Sequence, residues 1–200
     1  MIDGIVQETI ILEDEKVLLR PLTADDYELL LPFALNEPEL WKYSMVSPAG
    51  AEGMKVYIES SLKNKAAGTE YPFIIVDKKQ NACAGSTRFY DIQQSFLTTQ
   101  LGYTWYGKQF QRTGINRRSK FLLLQFAFEQ WGLERVEFRA DANNQRSVEA
   151  MKGIGCTVEG ILRNHMPTFI GTRRDSIVLS ILKEEWFGRV KALLKGKIYS

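Results

Sequence analysis

The hydrophobic positions of this chain change period along its length, and those changes mark out its elements. Thr9–Leu12 and Val17–Leu19 are short apolar runs on either side of the acidic Glu13-Asp14-Glu15, which predicts a hairpin within residues 1–20, at a sheet edge. Thr23 with Asp26 three residues on resembles a helix N-cap, and Tyr27, Leu30, Leu31 and Ala34 then recur at helical spacing. Pro32 and Pro38 keep that region short and irregular. Met54, Ile58 and Leu62 form one stripe of a second helix over Ala51–Lys65, which Gly68 stops.

From Tyr71 the period shortens. Pro72 stands at the entry to a strand Phe73–Val76, Asp77–Asn81 turns the chain, and Ala82–Tyr90 returns, with Gly85 marking a bulge or a close approach of two backbones. Leu101–Tyr106 is a further strand. Ser119–Trp131 then carries Phe121, Leu122, Leu123, Leu124, Phe126, Ala127, Phe128 and Trp131, which predicts a deeply buried helix ended by Gly132. Val136, Phe138 and Ala140 alternate with Glu137, Arg139 and Asp141 as a strand with one wetter face. Asn143–Ser147 opens a helix that turns Val148, Met151 and Ile154 inward before Gly155. Two more strands, around Ile161–Phe169 and Ser176–Leu182, are joined through Gly171–Arg174. A last amphipathic helix over Glu184–Leu194 uses Phe187, Val190 and Leu194, within a C-terminal helix and tail of residues 184–200. Strands and helices are intermixed, with no internal repeat or linker. The expected fold is therefore α+β: one domain over residues 1–200, with a central mixed, mostly antiparallel sheet of about seven strands flanked by helices.

Composition narrows the function classes more by exclusion than by indication. Lys and Arg number 26 against 24 Asp and Glu, a formal charge of +2, which argues against a dedicated polyanion binder although Arg117-Arg118 and Arg173-Arg174 are local basic pairs. Two cysteines, Cys83 and Cys156, are too few and too far apart for a disulfide framework or a zinc site, so a reducing cytoplasm and no metal are expected. Met1–Gln7 lacks an export signal and nowhere do 18 apolar residues follow one another, so no membrane partner is expected.

The candidate chemistry lies at Gln111-Arg112-Thr113-Gly114-Ile115-Asn116, where a strand feeds through a glycine turn into an apolar helix. Such a junction leaves several backbone N–H groups unpaired at the positive end of a helix dipole, which suits an anion and most often a phosphate. Arg112, Arg117, Arg118 and Lys120 surround it, either as a solvated face or as a cradle for phosphates; basic residues there oppose the dipole, which favours the cradle. Asn144 with Ser147 three residues on is explained by helix capping alone.

Taken in order, Q-x-x-G-x-N at 111–116, Asn144-Gln145-Arg146-Ser147, Met151-Lys152-Gly153-Ile154-Gly155-Cys156 and Glu159-Gly160-Ile161-Leu162-Arg163 resemble the GNAT family of N-acetyltransferases. The likeness is nearer to its branch similar to the ribosomal-protein N-terminal acetyltransferases RimJ and RimL, and runs from Leu18-Leu19-Arg20-Pro21-Leu22 through Glu185-Trp186. It implies acetyl-CoA as co-substrate, with its pyrophosphate on the amides of Gln111, Arg112, Thr113, Gly114, Ile115 and Asn116. It also implies a splayed strand pair whose free edge, at Tyr103, Thr104 and Trp105, pairs with the pantetheine arm. Two positions depart from the pattern: Cys156 replaces a Phe, and Asn116 stands where Gly or Ala is usual.

The reaction so implied is direct acetyl transfer to a primary amine, on a protein N-terminus or a small molecule. Asn144 and Ser147 then border the cofactor, Ser147 corresponding to the residue that protonates the leaving thiolate, and a backbone N–H near Trp105 stabilises the oxyanion. His165, the only histidine, is the candidate base, with Glu137 and Glu159 as competitors that a solvated strand face would equally explain. Two alternatives stay open at this point: a non-catalytic acyl-CoA-binding module of the same fold, and, less favoured on charge, direct nucleic-acid binding. The acceptor is open too, as is a homodimer.

Overall fold

The computed structural model describes residues 8–199, so the expectation for Met1–Gln7 and the last residue of the tail lie outside the described residues. β1 (Leu12–Glu13) and β2 (Val17–Pro21) form the expected edge hairpin, with Asp14 accepting from the amides of Lys16 and Val17 in the turn. The capping interaction at Thr23 is present: the Asp26 carboxylate accepts from its amide at 2.8 Å. α1 (Tyr27–Asn36) follows, and α2 spans Gly50–Ala66, packing α1 against the sheet. β3 (Glu70–Asp77) is the central strand of the first half, and β4 (Ala82–Gln93) and β5 (Thr98–Tyr106) continue the meander. Pro72 is tolerated there because its carbonyl accepts from Leu22, so its missing N–H falls just past the last paired residue of β2, Pro21.

α3 (Ile115–Gln125) crosses to β6 (Arg135–Asp141), and α4 (Gln145–Gly153), β7 (Thr157–Pro167) and β8 (Arg173–Leu182) complete one eight-stranded sheet ordered β1-β2-β3-β4-β5-β6-β8-β7. That is one strand more than about seven, with the expected hairpin supplying both β1 and β2. Among the described residues only β5 and β6 run parallel.

Two helices depart from the sequence expectation for physical reasons. The helix expected to start at Ser119 starts at Ile115, because Gly114, at φ 91°, caps it in the left-handed conformation. It then widens into a π-turn over Phe126–Gln130, where the Trp131 amide donates to the Phe126 carbonyl. A second π-turn, Trp186–Val190, lies between the short α5 (Lys183–Glu185) and α6 (Lys191–Tyr199). The wider turn brings positions four apart into line, so Trp186, Val190 and Leu194 are buried while Phe187, expected inside, is 56% exposed. Trp186 packs on Phe121 and Phe128, and Trp131 on Phe89 and Phe126, which ties both π-turns to one aromatic core.

The sheet has two differently used faces. Tyr57 of α2 meets Ser86 and Arg88, whereas Thr87 between them bonds Thr104 and through it Lys120 of α3. Because side chains alternate along a strand, α2 and α3 cover opposite faces.

Candidate functional site

β5 and β6 are hydrogen-bonded only where Thr98–Gln100 meets Arg135–Glu137. Beyond that point β5 stays with β4 and β6 stays with β8, so the two strands diverge and the facing edges of Leu101–Tyr106 and Phe138–Asp141 have no partner strand. A bulge deepens the opening. Ser86 pairs with Trp105 and Arg88 with Gly102, so Thr87 faces two residues, and Tyr103 takes φ 50° to absorb the extra one. A cavity of about 620 Å³ fills the splay, running from the turn at 111–116 to the α2 side of the sheet.

The turn is held by side chains and leaves its amides free. Gln111 Nε2 donates to the Tyr106 carbonyl at 2.9 Å, and Arg146 donates to Gln111 Oε1 at 2.7 Å. The Thr113 hydroxyl donates to the Phe110 carbonyl at 2.7 Å. Arg112 and Gly114 both take positive φ, at 63° and 91°, and the amides of residues 112 to 116 donate to no acceptor among the described residues. Gln111, Arg112, Gly114 and Asn116 line the cavity, whereas Thr113 and Ile115 do not: Thr113 is turned back to the Phe110 carbonyl and Ile115 is buried in the core.

The basic cluster around this turn divides in two. Arg112 and Arg117 border the cavity, joined by Arg146 and Lys197 from α4 and α6. Arg118 turns inward to Asp14, at 2.7 Å, and to Glu15 and the Ile198 carbonyl, so it ties the first hairpin to the last helix instead of forming part of a cradle. Lys120, one turn beyond Asn116, is 6% exposed beneath the splay. Its Nζ donates to Thr104 Oγ1 at 2.8 Å and lies 5.8 Å from the Phe138 ring centre, and no carboxylate pairs with it among the described residues. Burial pushes its ammonium down to about 7, while burial pushes the nearby Cys156 thiol up to about 12.

Tyr103, Thr104 and Trp105 all line the cavity and sit on the unpaired edge, but their side chains go elsewhere: Tyr103 over Arg88, Thr104 to Lys120, and Trp105 edge-on to Phe33 and Trp41. Asn144 caps α4, its Oδ1 accepting from the Ser147 amide at 3.2 Å. That bond uses only the backbone of Ser147, whose hydroxyl has no hydrogen-bond partner among the described residues on the cavity wall.

The α2 side of the cavity carries Tyr43, from the 35–47 loop expected to wall the acceptor site, together with Tyr57, Tyr90, Arg139, Asp141 and Arg174, none of which local sequence pattern singles out as a site residue. His165 lies behind this wall. Its Nδ1 is 3.0 Å from Ser176 Oγ, which also accepts from Arg174 Nε, and it does not line the cavity. Burial, and then the neighbouring Arg139, Arg174 and Arg173, hold the imidazole below its ordinary value and so favour its neutral form. Glu137 is engaged by Arg135 and Arg139, and Glu159 by Arg135 and Ser180.

The family model described as acetyltransferase (GNAT) domain matches residues 16–157. The putative ribosomal N-acetyltransferase YdaF of Bacillus subtilis is 26% identical over 181 residues, covering 88% of this chain and 96% of its own. The uncharacterized N-acetyltransferase p20 of Bacillus licheniformis is 24% identical over 179 residues, covering 87% and 97%. Among solved structures, a putative acetyltransferase from T. thermophilus superposes with a TM-score of 0.84 at 31% identity, over 94% of this chain and 97% of that one. With the split β5 and β6 edges and the glycine-capped helix start already in place, these likenesses make the chain a member of the GNAT family of N-acetyltransferases.

Proposed function

We propose that the protein moves an acetyl group from acetyl-CoA directly to a primary amine while both are bound. The observation that carries this reading is the bare edge of β5, which opens on one cavity together with Arg112, Gly114 and Asn116, whose amides are free. The fit is specific in its chemistry. Unpaired N–H groups at the start of α3, with Arg112 and Arg117 beside them, suit a pyrophosphate, and an unpaired strand edge suits the amide-bearing pantetheine arm. Half-buried Asn116 narrows the turn and offers a side-chain donor in place of the usual bare backbone.

The chain then acts mainly by placement. Holding thioester and amine in one cleft supplies most of the rate, and a β5 amide near Trp105 stabilises the oxyanion. Ser147 donates its hydroxyl proton to the departing sulfur. His165, bonded to Ser176 and set back from the wall, reaches the amine's proton only through intervening water. We place this activity in the cytoplasm, in keeping with two free cysteines; no helix among the described residues is long and apolar enough to cross a membrane.

The test is release of free thiol from acetyl-CoA with a panel of amines, including ribosomal-protein N-terminal peptides. Tight CoA binding with no release for any acceptor would leave a binding module and sink the transferase proposal. Ser147→Ala is expected to lower kcat by about 100-fold, the lower end for general acid–base groups, with little change in the KM of acetyl-CoA. Alanine keeps the amide that Asn144 caps, so folding is spared and the effect isolates the hydroxyl. An unchanged kcat at saturating acetyl-CoA would remove Ser147 from the chemistry.

A further inference from the structure

Arg174 is 7% exposed, yet it lines the cavity on the α2 side. Its Nε donates to Ser176 Oγ at 3.0 Å and its Nη1 to the Tyr43 carbonyl at 3.2 Å, both neutral acceptors. Nη2 and the second hydrogen of Nη1 have no protein acceptor among the described residues. A guanidinium does not lose its proton at any working pH, so burial cannot be relieved by neutralising it, and a partner of opposite charge is what such a group lacks.

The surrounding charges do not supply one. Asp141 on β6 is the carboxylate that acts on Arg174 through space, but its Oδ1 accepts from the Asn143 amide at 2.8 Å and it forms no ion pair with Arg174. Arg139, on the same wall, is bonded to Glu137, which Arg135 shares. Tyr90 and Tyr103 pack edge to face beside them and add no negative charge. On the side of the cavity opposite α3, Arg139 is thus paired with Glu137, while Arg174 has Asp141 near it and no ion-pair partner among the described residues.

We propose that the acceptor amine carries a carboxylate, and that the free end of Arg174, assisted by Arg139, receives it. The inference rests on the acetyl-transfer reading above and specifies its substrate class. The geometry suits it: a planar fork fixed at two corners presents its remaining N–H groups in the arrangement that a carboxylate accepts with two oxygens. The carboxylate belongs either to a small amino acid or to an acidic residue next to a peptide N-terminus, and the experiment separates these.

Amino acids are compared with their amides, and short peptides with Glu at the second position with their Gln counterparts, in wild type, Arg174→Gln and Arg174→Lys. In one of the two arms wild type is expected to favour the carboxylate member by about 30-fold in kcat/KM, the range of a charge-assisted bond. Arg174→Gln is expected to erase most of that ratio by slowing the carboxylate member far more than the amide, and Arg174→Lys to restore part of it. A wild-type ratio near one in both arms overturns the proposal, as does a variant that slows both members alike. If no amine releases thiol, the transferase reading has failed, and titration of the CoA-saturated protein with the same pairs decides this proposal separately. Carboxylate-selective binding lost in Arg174→Gln sustains it, and equal or absent binding of each pair overturns it.

Discussion

Gly85→Ala is expected to destabilise the protein by about 3 kcal/mol or more, at the upper end for overpacking, and to raise the KM of acetyl-CoA. Gly85 pairs with Tyr106 at the point where β4 takes up its bulge against Ile75 and Val76. A Cβ there would lie 2.1 Å from the Trp105 carbonyl oxygen and 3.0 Å from its carbon. Those atoms are backbone in the strand that borders the cavity, so they cannot rotate away as a side chain would, and β4 and β5 must part. The displacement does not stop there. Tyr106 supplies the carbonyl that holds Gln111 Nε2, so moving it loosens the turn at 111–116. Urea denaturation read against Gly188→Ala, where a Cβ meets nothing within 4 Å, is the check. A Gly85→Ala midpoint equal to that control would show that the sheet accommodates the methyl.

Lys120→Met is expected to do the opposite and stabilise the fold by about 3 kcal/mol at pH 7. The buried ammonium titrates at about 7 against 10.5 for an ordinary lysine. Between those values the unfolded chain binds more protons than the folded one, so wild-type stability rises with pH across that window. Below pH 7 the penalty is present in full; above 10.5 it is gone. At about 1.4 kcal/mol per pH unit, the cost near neutrality is on the order of 4 kcal/mol, from which losing the Thr104 hydrogen bond takes about 1. Methionine fills a similar volume without the charge. The Cys156 thiol, pushed up to about 12, stays neutral throughout and does not disturb the comparison. Denaturation at pH 6, 8 and 10 should show the advantage of the variant shrinking as pH rises. A difference that stays constant with pH would mean that Lys120 is not buried as an ammonium.

What is legible in the chain follows from local chemistry. The glycine before Ile115, the Asn144 cap and the close approach at Gly85 each depend on residues adjacent in sequence or on a single backbone constraint, and each stands where the residue types place it. The directions of the charged side chains are not local. Arg117 and Arg118 are neighbours with the same chemistry, yet Arg118 is claimed by Asp14, 104 residues away, while Arg117 is left at the cavity. Lys120 reads as a solvated charge or as part of a phosphate cradle, because a helical stripe gives no hint that it lies buried beneath the separating strand pair. The π-turns carry no signature of their own, so the inward register shifts from Phe187 to Trp186. Arg174 owes its burial to the Tyr43 backbone, 131 residues earlier, and no motif joins the two.

The brevity of the β5–β6 contact has a mechanical meaning. In a continuous sheet the ladder couples every strand to the next, but here β1 to β5 and the group β6, β8 and β7 share three paired positions. The sheet is a pair of half-sheets fastened at one end and held together elsewhere by the shared core beneath them. A ligand lodged between the free edges works as an inserted rung that locks the halves together. Amide exchange at Phe138–Asp141 should therefore slow with acetyl-CoA in step with Leu101–Tyr106, and the temperature of unfolding should climb with ligand concentration. In the proposed complex, acetyl-CoA would complete the sheet along the free edges of β5 and β6.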